Sequence, residues 1–341
     1  MTAPDLAAAA RDRRPRPAGP DGILVVDKPV GPTSHDVVAL VRRLSGQRRI
    51  GHGGTLDPFA SGVLPLYLGR ATRLAEYHLG AAKAYRATIC LGVSSTTDDL
   101  EGELTPVAGP GPRREAVERA LAGFTGTVLQ RPPALSARKV AGRRAYALAR
   151  AGVEPALGPR TVTFHRLALV EWDDADPERP VAVVDVTCTA GTYVRALARD
   201  LGAALGSAAH LGALRRTGAG PFGLADARSL DAVRAAAADG RLVSLLLPVG
   251  AGLDDLPAVC LSPAEAAVVA GGGWIRPAAG TVPAADPGSP LRLVGGDGRL
   301  LAIARLAGGR LVPDKVLVDR PGAGGTLASS AAGPDGGSGD G

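Results

Sequence analysis

The chain has 341 residues, 45% hydrophobic and 21% charged, an ordinary balance for a globular protein of about two domains with a proper core. Its formal charge of +6 favours an anionic partner, and apart from four lysines (28, 83, 139 and 315) every basic residue is arginine, the side chain suited to bidentate phosphate contacts. Scattered cysteines (90, 188 and 260) and histidines argue against a disulfide framework and a metal site, and with no apolar leader and no run long enough to span a membrane the chain reads as cytoplasmic.

Residues 1–20, with Arg11, Arg13, Arg14 and Arg16 among prolines, read as a disordered basic arm. Residues 22–29 form a short buried strand closed by Lys28 and Pro29, and Ser34 is an N-cap for a helix carrying Val37, Val38, Val41 and Leu44 on one face. Then comes GHGGTLDPFASGVLPLYLGR at 51–70. Its glycines allow close backbone approaches, Pro58 biases Asp57 toward an extended conformation, and Val63, Leu64, Leu66 and Leu68 anchor the far side in a core. A glycine loop holding one carboxylate against an apolar wall positions a nucleophile or base. The same residues also fit a tight turn in which Asp57 caps the next segment and His52 is a turn residue.

Residues 71–79 look helical, and 83–91 alternate as a strand with Tyr85, Ala87, Ile89 and Leu91 on one side, where Tyr85 fits a core position. A polar, turn-rich connection over 91–102 precedes a helix at 113–123. Residues 131–150 then hold six cations, Arg131, Arg138, Lys139, Arg143, Arg144 and Arg150, and no acid. A solvated helix accommodates such a run, but the Pro-Pro opening and the glycine favour a loop that tracks phosphates. Strands at 161–172 and 181–187 feed a strand–turn–helix over 188–202. There Gly191, Thr192, Tyr193 and Arg195 at a helix start make an anion-friendly corner, or simply a packed tyrosine and a solvated arginine. Proline and glycines at 248–252 mark a boundary. Short strands at 259–261, 291–294, 300–306 and 315–318 and a capping box at Ser262 and Glu265 follow, and 321–341 read as a disordered tail.

Motifs along this chain resemble those of the TruB-type tRNA pseudouridine synthases. G-H-x-G-T-L-D-P-x-A-x-G stands at 51–62, Lys28-Pro29 before it, K-x-Y-x-A around Tyr85, and P-P-x-x-S-A-x-K-x-x-G-x-R-x-Y from Pro132. G-T-Y-[IV]-R follows at 191–195, and Leu214 lies in His210-Leu-Gly-Ala-Leu-Arg-Arg-Thr217. Leu135 stands where an aromatic is frequent and Ala190 where some relatives carry lysine.

The resemblance implies an α+β pseudouridine synthase fold: a central mixed, mainly antiparallel sheet flanked by helices over 21–248, with an RNA-binding insertion at about 130–152. A small β-barrel-like, PUA-like RNA-binding domain follows over 252–320. It implies isomerisation of uridine 55 in the tRNA T-loop, by glycosidic cleavage, base reorientation and C5–C1′ bond formation, in a monomer needing neither cofactor nor metal. Asp57 is then the nucleophile, kept ionised by Arg195. Tyr85 stacks on the base and is the candidate for removing the C5 proton, while Tyr193 borders the aspartate and Leu214 packs beside the base. His52 enters the T-loop and holds it open. Lys28 and Pro29 support the architecture, Arg138, Lys139, Arg143 and Arg144 grip RNA, and Arg215 and Arg216 lie near it. A non-catalytic RNA-binding or tRNA-folding role on the same scaffold is the competing reading, and the joint presence of Asp57, Tyr85 and Arg195 favours the enzyme. A phosphate-binding NTPase is disfavoured because the glycine loop lacks the G-K-[ST] ending.

Overall fold

The computed structural model describes residues 19–133, 139–140, 143–144, 158–278, 280–283 and 288–319, and the chain divides into two compact units, Met1–Leu253 and Asp254–Gly341. The expected arm up to residue 18, the tail over 321–341 and Arg138 lie outside the described residues.

In the first unit the strands are β1 (Gly22–Lys28), β2 (Ile50–His52), β3 (Ser61–Leu68), β4 (Lys83–Leu91), β5 (Val93–Ser95), β6 (Leu104–Pro106) and β7 (Gly126–Gln130). After them come β8 (Lys139–Val140), β9 (Arg143–Arg144), β10 (Arg160–Asp173), β11 (Val181–Cys188), β12 (Ala209–Ala219), β13 (Phe222–Gly223) and β14 (Arg228–Ser229). The main sheet runs in the order β14-β1-β3-β12-β4-β11-β10-β7, with β2 beside β3 and β13 beside β12. Only β1–β14 and β3–β12 pair in parallel; the other pairs in this sheet are antiparallel. The sheet is therefore mixed and mainly antiparallel, as the motifs implied.

Strand periodicity explains the two faces. Leu24, Val26, Leu64, Leu66 and Leu68 point into the large core, while Ile23, Val25, Val63 and Tyr67 form a second core behind the sheet. With both faces covered, β1 and β3 are apolar nearly throughout, the pattern of an interior strand. Helices Ser34–Ser45, Arg114–Phe124 and Val194–Ala204 supply the residues that close the large core, among them Val41, Leu121 and Leu197.

Two local expectations change. The Ser34–Ser45 helix is capped by Thr33, whose hydroxyl accepts from Asp36 N while Asp36 returns the bond, and Ser34 sits buried inside the first turn. The helix expected over 71–79 splits into a 3-10 turn, Gly69–Arg73, and a short α-helix, Ala75–Leu79, with Leu74 between them closing the first by the tight bond from its N to Ala71 O.

The second unit is a four-stranded sheet, β15 (Ala258–Cys260), β16 (Pro290–Val294), β17 (Leu300–Ala307) and β18 (Arg310–Val316), in that order. The expected capping box of Ser262 and Glu265 opens its Pro263–Ala270 helix. The last strand begins earlier than expected, because Gly308 and Gly309 both take positive φ and make a two-residue hairpin turn. Among the described residues no helix is long and apolar enough to cross a membrane.

Candidate active site

The loop between β2 and β3 carries Asp57, and three anchors fix it. Gly53 N donates to Pro65 O at 2.8 Å, and the buried Ser34 hydroxyl both accepts from Leu56 N (2.9 Å) and donates to Leu56 O (3.2 Å). Lys28 supplies the third. It is wholly buried at the end of β1, and its Nζ donates to Pro29 O, Pro32 O and Pro58 O at 2.9, 2.8 and 3.3 Å. The lysine thus ties the turn after β1 to the residue following Asp57. Burial brings it down to about 8, with Asp57 pulling the other way.

Opposite this loop, the Val194–Ala204 helix presents Arg195. Its Nη2 lies 3.0 Å from Asp57 Oδ2 and its Nη1 3.3 Å from Asp99 Oδ2, so one buried guanidinium bridges two carboxylates. The Asp57 side chain is 36% exposed and that of Asp99 only 4%. Asp99 is held by Thr97 Oγ1 at 2.5 Å and by Glu101 N at 3.1 Å. Its neighbour Asp98, at φ +62°, pairs with Arg199 at 2.8 Å, one helical turn from Arg195. Arg195 does favour the ionised form of Asp57, as expected, but burial outweighs it and Asp99 adds to the rise. The Asp57 carboxyl therefore sits above its usual range.

No side chain of the helix caps its own start. Gln130, buried at the end of β7, does so from outside. Its Nε2 donates to Tyr193 O at 3.0 Å and its Oε1 accepts from Tyr193 N at 2.9 Å. This clasp sets the helix start, and with it Tyr193 and Arg195, one residue before the basic insertion.

Between the loop and the helix lies a cavity of about 320 Å³, with Asp57, Tyr85, Tyr193, Arg195 and Leu214 in its wall. Tyr85 comes from β4 and Leu214 from the adjacent β12, where Leu214 is opposite Ala87, two positions along from Tyr85. Burial pushes the Tyr85 phenol up, and Arg216 acts against that rise. Arg216 departs from expectation. Alternation along β12 turns Arg215 outward to Asp27 at 2.8 Å and Arg216 inward, where it is 1% exposed. Lys83 lines the same cavity, its Nζ donating to His78, Leu79 and Ala81 carbonyls.

Among the described residues, His52 stands apart from this wall. His52 sits on β2, its ring edge-on to His35 at 5.4 Å and its Nδ1 buried with no hydrogen-bond partner. Burial, then His35 and Arg216, lowers its pKa. Lys139 and Arg144 are paired across the β8–β9 hairpin, with Arg143 opposite Val140. Sequence reasoning missed Asp99, Gln130 and Lys83 as parts of the site. Asp99 stands at the acid of an L-G-x-x-T-x-T-x-D-x-x-G pattern that 91–102 approximates and Lys83 opens the K-x-Y-x-A motif, whereas Gln130 carried no signal.

Residues 42–194 match the TruB family pseudouridylate synthase N-terminal domain, and residues 195–254 the tRNA pseudouridylate synthase B C-terminal domain. The chain is 44% identical over 311 residues to tRNA pseudouridine synthase B of Bradyrhizobium diazoefficiens, covering 90% of this chain and 87% of that protein. It is 50% identical over 250 residues to tRNA pseudouridine synthase B of Symbiobacterium thermophilum, covering 73% and 81%. Among solved structures it is similar to a chain of an H/ACA RNP bound to a substrate RNA containing 2′-deoxyuridine, at 25% identity and a TM-score of 0.67, covering 88% of this chain and 86% of that one. A chain of a Cbf5–Nop10–Gar1 complex matches at 27% identity and a TM-score of 0.65, covering 88% and 85%.

Proposed function

Because the chain belongs to the TruB family and is a tRNA pseudouridine synthase, we propose that it isomerises uridine 55 of the tRNA T-loop with Asp57 as nucleophile. The reaction breaks N1–C1′, turns the uracil and joins C5 to C1′. The proton on C5 leaves and N1 gains one, so nothing is oxidised and no group is lost.

Asp57 forms the transient bond to the nucleoside, and Arg195 fixes which carboxylate oxygen is free to do so. Asp99 holds Arg195 from the far side, so the guanidinium keeps its place when Asp57 is engaged. Tyr85 and Leu214 offer a stacking face and an apolar wall to one pyrimidine. Burial keeps the Tyr85 phenol protonated near neutrality, so stacking is its resting role, and taking the C5 proton requires the phenolate that Arg216 favours. The target must leave a folded RNA loop at a cost of a few kcal/mol. His52 is assigned to hold that loop open.

The observation that carries this reading is the 3.0 Å Asp57–Arg195 pair in the wall of a base-sized cavity that also holds Tyr85. Replacing Asp57 with Asn tests it. Single-turnover isomerisation of unmodified tRNA is expected to fall by at least ~10³-fold, with the tRNA dissociation constant within several-fold of wild type, since phosphate contacts supply most RNA affinity. Pseudouridine mapping reports the position. Turnover by the Asn variant removes Asp57 from its role, and product at another position removes uridine 55.

A further inference from the structure

Arg216 is a buried cation whose part in the scheme above is confined to its charge near Tyr85. It is the largest of the fully buried side chains, and no carboxylate among the described residues pairs with it. Such a charge is costly to bury, and its donors are spent on backbone carbonyls instead. Nε donates to Val63 O at 2.7 Å, Nη2 to Gly54 O at 3.1 Å and Nη1 reaches Thr55 O at 3.5 Å. Arg216 also lines the cavity beside Tyr85, with which it is in register across β12 and β4.

The surrounding backbone is shaped around this one side chain. β12 lies between β3 and β4, and Arg216 is in register with Gly62 on one side and Tyr85 on the other. Gly62 has φ +104°, and a Cβ there would lie 2.1 Å from Arg216 O, so β3 approaches β12 as only glycine allows. Gly54, whose carbonyl Arg216 holds, also takes positive φ, at +115°. The loop that ends in Asp57 is thus gripped by a side chain that stands in register with Tyr85.

We propose that Arg216 is a positioning residue for the isomerisation, holding the Gly54 and Thr55 backbone that leads to Asp57 in a fixed place beside Tyr85 from inside the sheet. It does not contact phosphate. A planar fork with fixed donors can span the Val63, Gly54 and Thr55 carbonyls together, whereas an ammonium on a flexible stem cannot hold all of them in one geometry. This role rests on the assignment of Asp57 and Tyr85 to the chemistry.

The test compares Arg216→Lys and Arg216→Gln with wild type, measuring single-turnover rate, tRNA dissociation constant and its salt dependence. Arg216→Lys keeps the buried charge and most of the volume, so it serves if the Gln variant does not fold. Its rate is expected to fall ~10-fold or more, and that of Arg216→Gln ~100-fold or more, as expected for a misplaced catalytic group. In both, the dissociation constant and the salt slope stay at wild-type values. A wild-type rate in Arg216→Lys overturns the proposal, and so does a rate loss matched by weaker binding and a flatter salt slope, which would make Arg216 a phosphate contact. Asp57→Asn run in parallel keeps the two readings separate. Turnover by that variant defeats the Asp57 assignment, whereas an inactive Asn variant beside a fully active Arg216→Lys defeats only the role of Arg216.

Discussion

Arg195 pairs with Asp57 and Asp99, and Arg195 and Asp99 act on the Asp57 carboxyl in opposite senses. The Arg195 charge lowers the Asp57 pKa, while the Asp99 carboxylate raises it. Removing either should move the acid limb of the single-turnover pH profile, and in opposite directions. Without the Asp99 charge, Asp57 ionises more readily, so Asp99→Asn is expected to shift that limb to lower pH. Arg195→Met takes away the opposing cation and is expected to shift it to higher pH. Both variants lose rate, about 10-fold or more, because Arg195 or its second anchor is gone. Rate measurements from pH 4.5 to 8 check this, and a limb that moves in neither variant means that another group titrates there.

The parallel pairing of β3 with β12 is the element on which the site turns, and it depends on a residue with no side chain. Gly62→Ala is expected to destabilise the protein by roughly 1–3 kcal/mol from the positive φ alone, with the clash against Arg216 O adding to that. Urea midpoints measure it, and an Ala variant as stable as wild type would mean that β3 and β12 separate without cost. Much of this element was legible in the sequence. The glycine run, Asp57 and the apolar stretch after it stood together, and the strand of Tyr85 alternated as it should. What could not be read was orientation. Two adjacent arginines on a strand must face opposite ways, and nothing in Leu-Arg-Arg-Thr says which is inside until β12 is known to lie between β3 and β4. The helix cap illustrates a weaker failure. Thr33 and Ser34 both offer a hydroxyl, and only Asp36, three residues after Thr33, decided between them. The pairings of Asp99 with Arg195 and of Gln130 with Tyr193 are legible only in three dimensions, since they join segments far apart in the chain.

Across the whole molecule, the excess of basic over acidic residues bears on how tRNA is held more than on what is done to it. Affinity is expected to fall steeply with salt, and neutralising Arg138, Lys139, Arg143 and Arg144 together should reduce the log–log slope by roughly 0.7–0.9 for each phosphate left without a cation. Filter binding between 50 and 300 mM salt measures this, and an unchanged slope would make the 131–150 segment a solvated face. Each unit draws its core from its own residues, the first from strands and helices up to Leu253 and the second from Val259, Leu293, Ala302 and their neighbours. The match to the tRNA pseudouridylate synthase B C-terminal domain, residues 195–254, falls almost wholly in the first of these units and includes Arg195, Leu214 and Arg216.

The insertion of β12 between β3 and β4 also sets an order of events during synthesis. β3 and β4 are close in sequence, yet in the finished sheet they are kept apart by a strand translated long after both. At about 5–20 residues per second, on the order of ten seconds pass between the emergence of β4 and that of β12. During that interval each strand exposes an edge that fits the other, or a neighbouring nascent chain, as well as it fits β12. The slot for Arg216 must therefore stay open, or reopen, until the last third of the first unit arrives, and non-local pairing of this kind folds slowly. A ribosome stalled before Ala209 would hold a chain that already contains Asp57 and Tyr85 and still has no active site.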